Sequence, residues 1–377
     1  MRIAYVYDAV YPYILGGVEK RVWEIARRLV ARGHDVHLFG MHLWDGESTI
    51  TRDGVVLHGI CRPYGLYRKG KRRILPAFLF GIMLLPALAR ERFDVVDCQQ
   101  FPYTSVFGAA AACRIARSPF VITWHEVWGE YWYEYLGWKG VFGKITERLV
   151  ARLTPDIIPV SGTTAKKLAH LGVPDEIRII PNGIDPVHIR SVPPSPESSD
   201  IIFVGRLIKE KHVDVLVRAF AQLLPESPAL TLLILGDGPE LDTIRSLISE
   251  PGIRDRVLLK PFLDSHDEVV SLMKSSHVCV IPSTREGFGI AALEALACGL
   301  PVVTVDHPEN AIGELITGAT GFRSSLSVDD LSDTIRDALS RYPVMKPACM
   351  ASAEAYDWDG IVDRVEDYFN SLAGRTG

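Results

Sequence analysis

Residues 278–305 read VCVIPSTREGFGIAALEALACGLPVVTV. The apolar runs Val278–Ile281 and Pro301–Val305 have the length and composition of buried strands, and the segment between them has the pattern of a short helix. A strand, a helix and a second strand in this order form a unit with parallel strands. The stretch therefore predicts an α/β fold with a sheet that is covered on both faces.

The turn before this helix carries glycines on both sides of Phe288. Gly287 and Gly289 let the backbone approach a ligand closely, and the helix from about Ile290 presents amides that suit a phosphate. Glu294 is the only charged residue in this apolar helix, and a buried carboxylate is costly without a hydrogen-bonding partner. A ligand with hydroxyl groups, such as a ribose, is one explanation. Exposure to solvent or an ion pair with an arginine is the alternative.

Length and composition narrow the class of protein. A chain of 377 residues exceeds one ordinary core, which predicts two domains. The net charge of −5 argues against a nucleic-acid binder. Six scattered cysteines without a C-x-x-C pair indicate neither a zinc site nor a disulfide framework and favour a reducing cytoplasm. The N-terminus enters an apolar run directly, so we expect no signal peptide and a cytoplasmic location.

Apolar strand-like runs alternate with helical patterns in two series, which predicts two doubly wound, Rossmann-like domains facing each other across a cleft. We place the N-terminal domain at residues 1–185 and the C-terminal domain at 201–357. The proline- and serine-rich residues 186–200 are predicted to be a linker, and a terminal helix is predicted at about 358–372. The other predicted strands are Ile3–Tyr7, Val36–Phe39, Val55–Gly59, Val95–Val96, Phe120–Thr123, Ile157–Val160, Ile177–Pro181, Ile201–Val204, Leu230–Leu235 and Val257–Leu259.

The segment that follows the first strand of the second series lies at the edge where open α/β sheets bind ligands. It begins at Gly205, and its cations Arg206 and Lys211 are suited to hold a diphosphate. A solvated basic turn is the alternative. The nearby Leu235–Pro239 resembles half of a dinucleotide fingerprint, but Leu241 at the sixth position favours a tight turn without a ligand.

Two segments of the first domain also lie at strand ends. Gly16 and Gly17 precede an amphipathic helix and permit close approach to a substrate, with a flexible loop as the alternative. His125 follows a strand, where an imidazole can bind a sugar hydroxyl and can titrate near neutral pH. A structural histidine is the alternative.

Two further segments point to carbohydrate or membrane contact. Trp124, Trp128 and Trp132 recur at helical spacing, which fits stacking on sugars, a membrane interface or simple core packing. Residues 62–92 hold eight basic residues and one acid around the apolar run 74–89. That run is too short and too interrupted to span a bilayer, but it is suited to an anionic membrane surface. A buried helix with a solvated basic edge is the alternative.

Together these segments resemble the retaining GT-B glycosyltransferases of family 4, the glycosyl transferases group 1, over nearly the whole chain. That resemblance implies transfer of a sugar from a nucleotide diphosphate sugar with retention at the anomeric carbon. It also implies that the first domain binds the acceptor and the second the nucleotide sugar, and that the C-terminal helix at about 358–372 crosses back onto the first domain. The matching stretches are Gly16–Glu19, Arg32–Val36, Phe93–Val96, His125, Val160–Ser161, Pro181–Asp185, Val204–Leu207, Lys211, Gly236–Pro239, Pro282–Ser283 and Glu286–Val303.

The resemblance also implies roles for individual residues. Arg206 and Lys211 would hold the diphosphate, Glu294 the ribose, and Glu286 the donor sugar together with the amides of the following turn. No bound metal is expected, because arginine and lysine can replace it. The expected catalytic residues are His125, Glu286, Arg206 and Lys211. The expected donor-binding residues are Gly17, Gly205, Arg206, Lys211, Phe262, Glu286, Gly287, Phe288, Gly289, Ile290 and Glu294. The expected acceptor-binding residues are Gly16, Trp124 and Trp128.

Three positions depart from the family pattern. His212 replaces the glycine that is usual after the lysine, Lys260–Leu263 lacks a glycine, and His307–Ala311 stands where paired glycines are often found. We expect the acceptor to be a sugar, a lipid or a lipid-linked sugar, with a peripheral membrane location and no nucleic-acid partner. A nucleotide-sugar epimerase and a non-catalytic nucleotide-sugar-binding protein are the alternatives.

Overall fold

The computed structural model describes residues 1–63, 67–68, 71–72, 74–174, 176–263 and 265–374, and the chain forms two compact units. The first unit is Met1–Asn182 with Trp358–Gly377, and the second is Gly183–Asp357. Each unit is built on a predominantly parallel sheet. This confirms the predicted α/β class with two doubly wound domains.

The first unit contains a seven-stranded sheet in the order β3-β4-β2-β1-β7-β8-β9, in which only β3 runs antiparallel to its neighbour. The strand order reverses at β1 and β7, so their carboxyl ends flank the point where such sheets bind ligands. The strands are β1 (Arg2–Val6), β2 (Asp35–Gly40), β3 (Thr49–Arg52), β4 (Val55–Gly59), a separate pair β5 (Tyr67–Arg68) and β6 (Lys71–Arg72), β7 (Val95–Gln99), β8 (Phe120–Trp124) and β9 (Ile157–Pro159). The helices are α1 (Gly17–Ala31), α2 (Ile74–Leu88), α3 (Tyr103–Ala116), α4 (Tyr131–Leu136), α5 (Gly140–Val150) and α6 (Gly162–His170).

The second unit contains a six-stranded parallel sheet in the order β12-β11-β10-β13-β14-β15. Here the strand order reverses at β10 and β13, which pair with Ile201 opposite Val278. The helices are α7 (Pro186–Ser191), α8 (Val213–Leu223), α9 (Leu241–Ile248), α10 (His266–Lys274), α11 (Ile290–Ala297), α12 (Ile312–Leu315) and α13 (Val328–Ala353). The strands are β10 (Ser199–Val204), β11 (Leu232–Leu235), β12 (Val257–Lys260), β13 (Ser276–Ile281), β14 (Val302–Val305) and β15 (Gly321–Ser324).

The last helix, α14 (Trp358–Ala373), belongs to the first unit although it follows the second in sequence. Its apolar residues recur at helical spacing, and Ile361, Val365 and Phe369 are buried in one cluster with β1 and α1. Arg32, which directly follows α1, pairs with Glu366 across this contact. The terminal helix is therefore part of the core of the first unit.

The opposite face of the same sheet is covered by α2, α3 and α5. Phe80 and Leu84 of α2, Val106 of α3 and Val150 of α5 lie in one buried cluster. The apolar run 74–89 thus forms α2. The basic side chains between residues 64 and 73 lie outside the described part, in which no helix is long and apolar enough to cross a membrane.

Two predicted elements differ from the structure. Ile177–Pro181 is not a strand: the carbonyl groups of Ile180 and Pro181 accept from the buried Arg21 side chain, and among the described residues of this segment only the Ile180 amide donates to β9, at Pro159. The predicted linker 186–200 instead contains α7, which starts at a proline behind the capping side chain of Asp185. The short edge strands β3 and β15 were not predicted from the sequence.

All six cysteines are free and buried, with three in each unit. Burial raises the pKa of the Cys61 thiol to about 11 and that of the Cys113 thiol to about 12. These thiols therefore act as small apolar core residues.

Truncating a buried side chain of α14 should destabilise the first unit. We expect Phe369→Ala to lower the free energy of unfolding by about 3 to 5 kcal/mol, because it leaves a cavity among buried residues. The exposed neighbour Asn370→Ala should change it by less than about 0.5 kcal/mol. Urea unfolding measures the free energy of unfolding of both variants. Equal changes in the two variants would contradict the placement of α14 in the core.

Candidate functional site

The turn between β13 and α11 has the geometry predicted from its glycines. Gly289 has φ +95°, and a Cβ there would lie 2.4 Å from Cγ1 of Ile312, so only glycine fits. Among the described residues, the backbone amides of Phe288 and Gly289 have no hydrogen-bond partner. Because they lie at the start of α11, these amides form a site suited to a phosphate.

Glu286 and Lys211 meet beside this turn. Lys211 ends a short 3-10 helix after β10, and its Nζ donates to Oε1 of Glu286 in a largely buried ion pair. The two loops are also joined by backbone, because Thr284 N donates to the Glu210 carbonyl at 3.0 Å. The structure thus brings together a cation and a carboxylate that are distant in sequence.

The backbone conformation of His212 explains why glycine is usual at this position. Its φ of +47° lies in the left-handed region that favours glycine. Its Nε2 lies 3.0 Å from Oγ1 of Thr284, which links it to the loop after β13. His212 makes no side-chain cap to α8, so it joins the two loops instead of capping the helix.

Arg206 follows β10 directly and differs from Lys211. Its side chain is exposed and has no hydrogen bond or ion pair with any described residue. Gly205 precedes it, and the carbonyl of Gly205 would lie 1.9 Å from a Cβ at Gly236. The Gly236 turn therefore packs closely against the loop that carries Arg206.

Glu294 is buried, with 7% of its surface exposed, and its partner is a histidine from α10. Oε1 of Glu294 lies 2.7 Å from Nε2 of His266. Neither explanation offered by the sequence named this partner. Phe262, four residues before His266, is half exposed. A carboxylate of α11 and an imidazole of α10 thus meet in the second unit, and an exposed aromatic ring precedes α10 in sequence.

In the first unit, His125 follows β8 and is held by β7. Its Nε2 lies 2.7 Å from Oε1 of Gln99, while Nε2 of Gln99 donates to the Asp97 carboxylate. A carboxylate only accepts, so the Gln99 amide oxygen faces His125, and His125 donates from Nε2. Its Nδ1 has no partner among the described residues and is left as an acceptor.

Burial perturbs the groups around His125. It lowers the pKa of His125 to about 3 and raises the pKa of Asp97 to about 6. Burial also lowers the pKa of the Arg21 guanidinium to about 10. Sequence reasoning missed Asp97, Gln99 and Arg21. The available signal was the polar run that ends β7 at the carboxyl edge of a predicted strand.

The aromatic prediction is partly wrong. Trp124 is fully buried in the core and donates from Nε1 to the Glu126 carbonyl, so it does not contact an acceptor. Trp128 is partly buried and stacks on Phe101 at 5.4 Å between ring centroids. Trp124 ends β8, Trp128 lies in the loop that follows, and Trp132 lies in the first turn of α4. The three tryptophans therefore do not share one helix.

The paired glycines lie at the start of α1. Gly16 is the N-terminal cap, and both Gly16 and Gly17 are exposed. A Cβ at Gly16 would lie 2.4 Å from the carboxylate of Glu19, which folds back over the first turn. Backbone approach at this turn remains a prediction.

Comparison with known proteins places this chain in a family. The model described as glycosyl transferases group 1 matches residues 187–355, and glycosyltransferase family 4 matches residues 15–188. The gpi3 subunit of the phosphatidylinositol N-acetylglucosaminyltransferase of Schizosaccharomyces pombe is 23% identical over 372 residues, covering 95% of this chain and 78% of that protein.

Two solved structures share the fold. Sucrose-phosphate synthase from Thermosynechococcus elongatus has a TM-score of 0.82 at 19% identity and covers 99% of both chains. HepE of Anabaena in complex with UDP-glucose has a TM-score of 0.76 at 19% identity, over 98% of this chain and 100% of that chain. The two sheets and these matches define a GT-B glycosyltransferase. The chain belongs to the glycosyl transferases group 1 family.

His125 should stay neutral across the physiological range. An ordinary histidine gains a proton as the pH falls through about 6.5, whereas the lowered pKa keeps His125 neutral between about pH 5 and 8. Imidazole nitrogen NMR should report the neutral Nε2–H tautomer throughout this range. A His125 signal that titrates near neutral pH would contradict this environment.

Proposed function

We propose that this glycosyltransferase moves a sugar from a nucleotide diphosphate sugar to a hydroxyl acceptor with retention at the anomeric carbon. The observation that carries the proposal is the meeting of Lys211 and Glu286 beside the unpaired amides that begin α11. Two cations, a carboxylate and a helix N-terminus at the switch point of one sheet match the charges and hydroxyls of such a donor.

When the donor binds, its diphosphate can replace Glu286 as the partner of Lys211. A diphosphate competes with Glu286 for the ammonium group, because it carries more negative charge. Lys211 then contacts phosphate, and Oε1 of Glu286 becomes available to accept from a sugar hydroxyl. Both partners are largely buried, so the exchange takes place where electrostatic interactions are strong.

Arg206 is proposed to complete the clamp. Its guanidinium is free to rotate onto an incoming diphosphate, since no described residue holds it. An arginine fork and a lysine ammonium together offset the charge that develops on a departing nucleoside diphosphate. On this proposal the clamp works without a metal ion.

The nucleoside end is assigned to Glu294 and its neighbours. Glu294 accepts from ribose hydroxyls, and His266 is the group that it exchanges for them. Phe262 presents an exposed ring on which a base can stack.

Retention is proposed to follow from a front-face displacement. The bond from the anomeric carbon to the diphosphate oxygen breaks, the bond to the acceptor oxygen forms on the same face, and the acceptor proton passes to the departing phosphate. Arg206 and Lys211 stabilise that phosphate. His125, neutral and accepting at Nδ1, binds a sugar hydroxyl instead of transferring a proton.

We also propose a lipid or lipid-linked sugar as acceptor, at the cytoplasmic face of a membrane. The name of the Schizosaccharomyces pombe relative includes phosphatidylinositol, which supports a lipid acceptor. The free, buried thiols fit a reducing compartment.

Removing either cation should impair transfer. We expect Arg206→Ala and Lys211→Ala each to lower kcat/KM about a hundredfold or more, because leaving-group charge loses its stabilisation. Lys209→Ala is the matched control, since Lys209 is exposed in the same turn. Radiolabelled sugar transfer measures all three, and rates of the first two variants within about twofold of the wild type would contradict the clamp.

A donor screen identifies the nucleotide. Thermal shift with UDP-, GDP-, ADP- and dTDP-sugars should show one preferred series, since a ligand at 100 times its Kd stabilises by about 2.7 kcal/mol. Glu294→Gln should weaken that shift. Formation of an isomer from the donor alone would favour an epimerase instead, and binding without turnover on any acceptor would favour a non-catalytic protein.

A further inference from the structure

Helix α5 turns its apolar face to solvent. Val141, Phe142, Ile145 and Leu149 are exposed, and Trp138 extends the row by one turn before the helix. The exposed fractions run from 37% at Val141 to 74% at Trp138. A helix at the surface of a globular protein normally shows the opposite pattern, with its apolar stripe toward the core.

The inner face of α5 fixes this orientation. It carries two glycines, and a Cβ at Gly143 would lie 2.2 Å from the ring of Trp132. The acid of the helix, Glu147, is buried and accepts from the Tyr103 hydroxyl at 2.8 Å and from the Trp128 amide at 2.8 Å. Rotating the helix to bury Phe142 would break these bonds and place a large side chain where no Cβ fits. The exposed apolar face is therefore built into the fold.

Helix α2 repeats the arrangement on the same side of the sheet. Its inner residues share the buried cluster of α3 and α5, whereas Leu75, Phe78, Ile82 and Met83 are exposed. Phe107 of α3, which packs against α2, is also exposed. We name this surface the α2–α3–α5 face. It is defined by Leu75, Phe78, Ile82, Met83, Phe107, Trp138, Val141, Phe142, Ile145 and Leu149.

The accessible charged residues within these three helices are all basic. Helix α2 has no charged residue, and Arg114 is the only one in α3. In α5 the accessible charges are Lys144 and Arg148, since Glu147 is buried. Lys144 pairs with Glu130, which lies outside these helices. The sequence before α2 adds a basic run without an acid, composed of Arg68, Lys69, Lys71, Arg72 and Arg73.

We propose that the α2–α3–α5 face binds the surface of an anionic lipid bilayer, with α2 and α5 lying in the interface. Apolar side chains flanked by basic ones on a chain of net charge −5 are complementary to acyl chains and anionic headgroups. A protein partner would not need this bias toward positive charge. The inference extends the proposed function, because a lipid acceptor gives the surface its use, and it adds α5, which the sequence did not single out.

The test is co-sedimentation with vesicles of phosphatidylcholine alone or mixed with phosphatidylserine. The wild type should bind the mixed vesicles more strongly, and binding should weaken as salt rises. The double variant Phe142→Glu with Ile145→Glu should bind at least about tenfold more weakly, because carboxylates do not enter the acyl region and are repelled by anionic headgroups. Val344→Glu, at a more exposed apolar residue of the second unit, should bind like the wild type.

Folding and catalysis are checked separately. Both altered residues are exposed, so the double variant should melt like the wild type and bind nucleotide sugars unchanged. Donor binding that is kept while vesicle binding is lost supports the face, whatever the outcome for the Arg206 clamp. No binding of the wild type to mixed vesicles at low salt would overturn the inference. A wild-type dimer that the double variant abolishes would also overturn it, because a second copy would then cover the face.

Discussion

The parallel pairing of β10 with β13 is the constraint on which the site depends. The two strands are separated by more than seventy residues of chain, yet their carboxyl ends open at one edge of the sheet. The backbone hydrogen bond from Thr284 to Glu210 and the contact of His212 with Thr284 then join the two loops. Lys211 and Glu286 are thereby held opposite each other before any ligand arrives. Such preorganisation removes part of the entropic cost of aligning reacting groups.

The first unit reaches a comparable result with buried hydrogen bonds. Asp97 orients Gln99, Gln99 orients His125, and Arg21 holds the carbonyl groups of Ile180 and Pro181. Burial opposes the charge on Asp97 and on Arg21, and the nearby opposite charge offsets part of that cost. Removing one member would leave its partner buried without compensation, which is more costly than never having built the pair.

The sequence predicted those features that depend on local spacing. The strand, turn and helix around Glu286 follow from apolar runs and glycines, and the cations after β10 follow from their position at a strand end. Contacts that require the folded sheet were not predictable, such as His266 with Glu294 or Gln99 with His125. Trp124 was misjudged because tryptophans at helical spacing need not share a helix. The same local reasoning overlooked α5, because an exposed apolar stripe and a buried one have the same period.

The buried cysteines can report on local unfolding of each unit. Cys61, Cys98 and Cys113 lie in the first unit, and Cys279, Cys298 and Cys349 in the second, all buried and unpaired. A thiol reacts as the thiolate, and burial in apolar surroundings disfavours that form as well as access by reagents. Alkylation of the native chain is consequently limited by local opening of the surrounding core. Mapping which three cysteines react first would separate the opening of one unit from that of the other, with no probe introduced into the sequence.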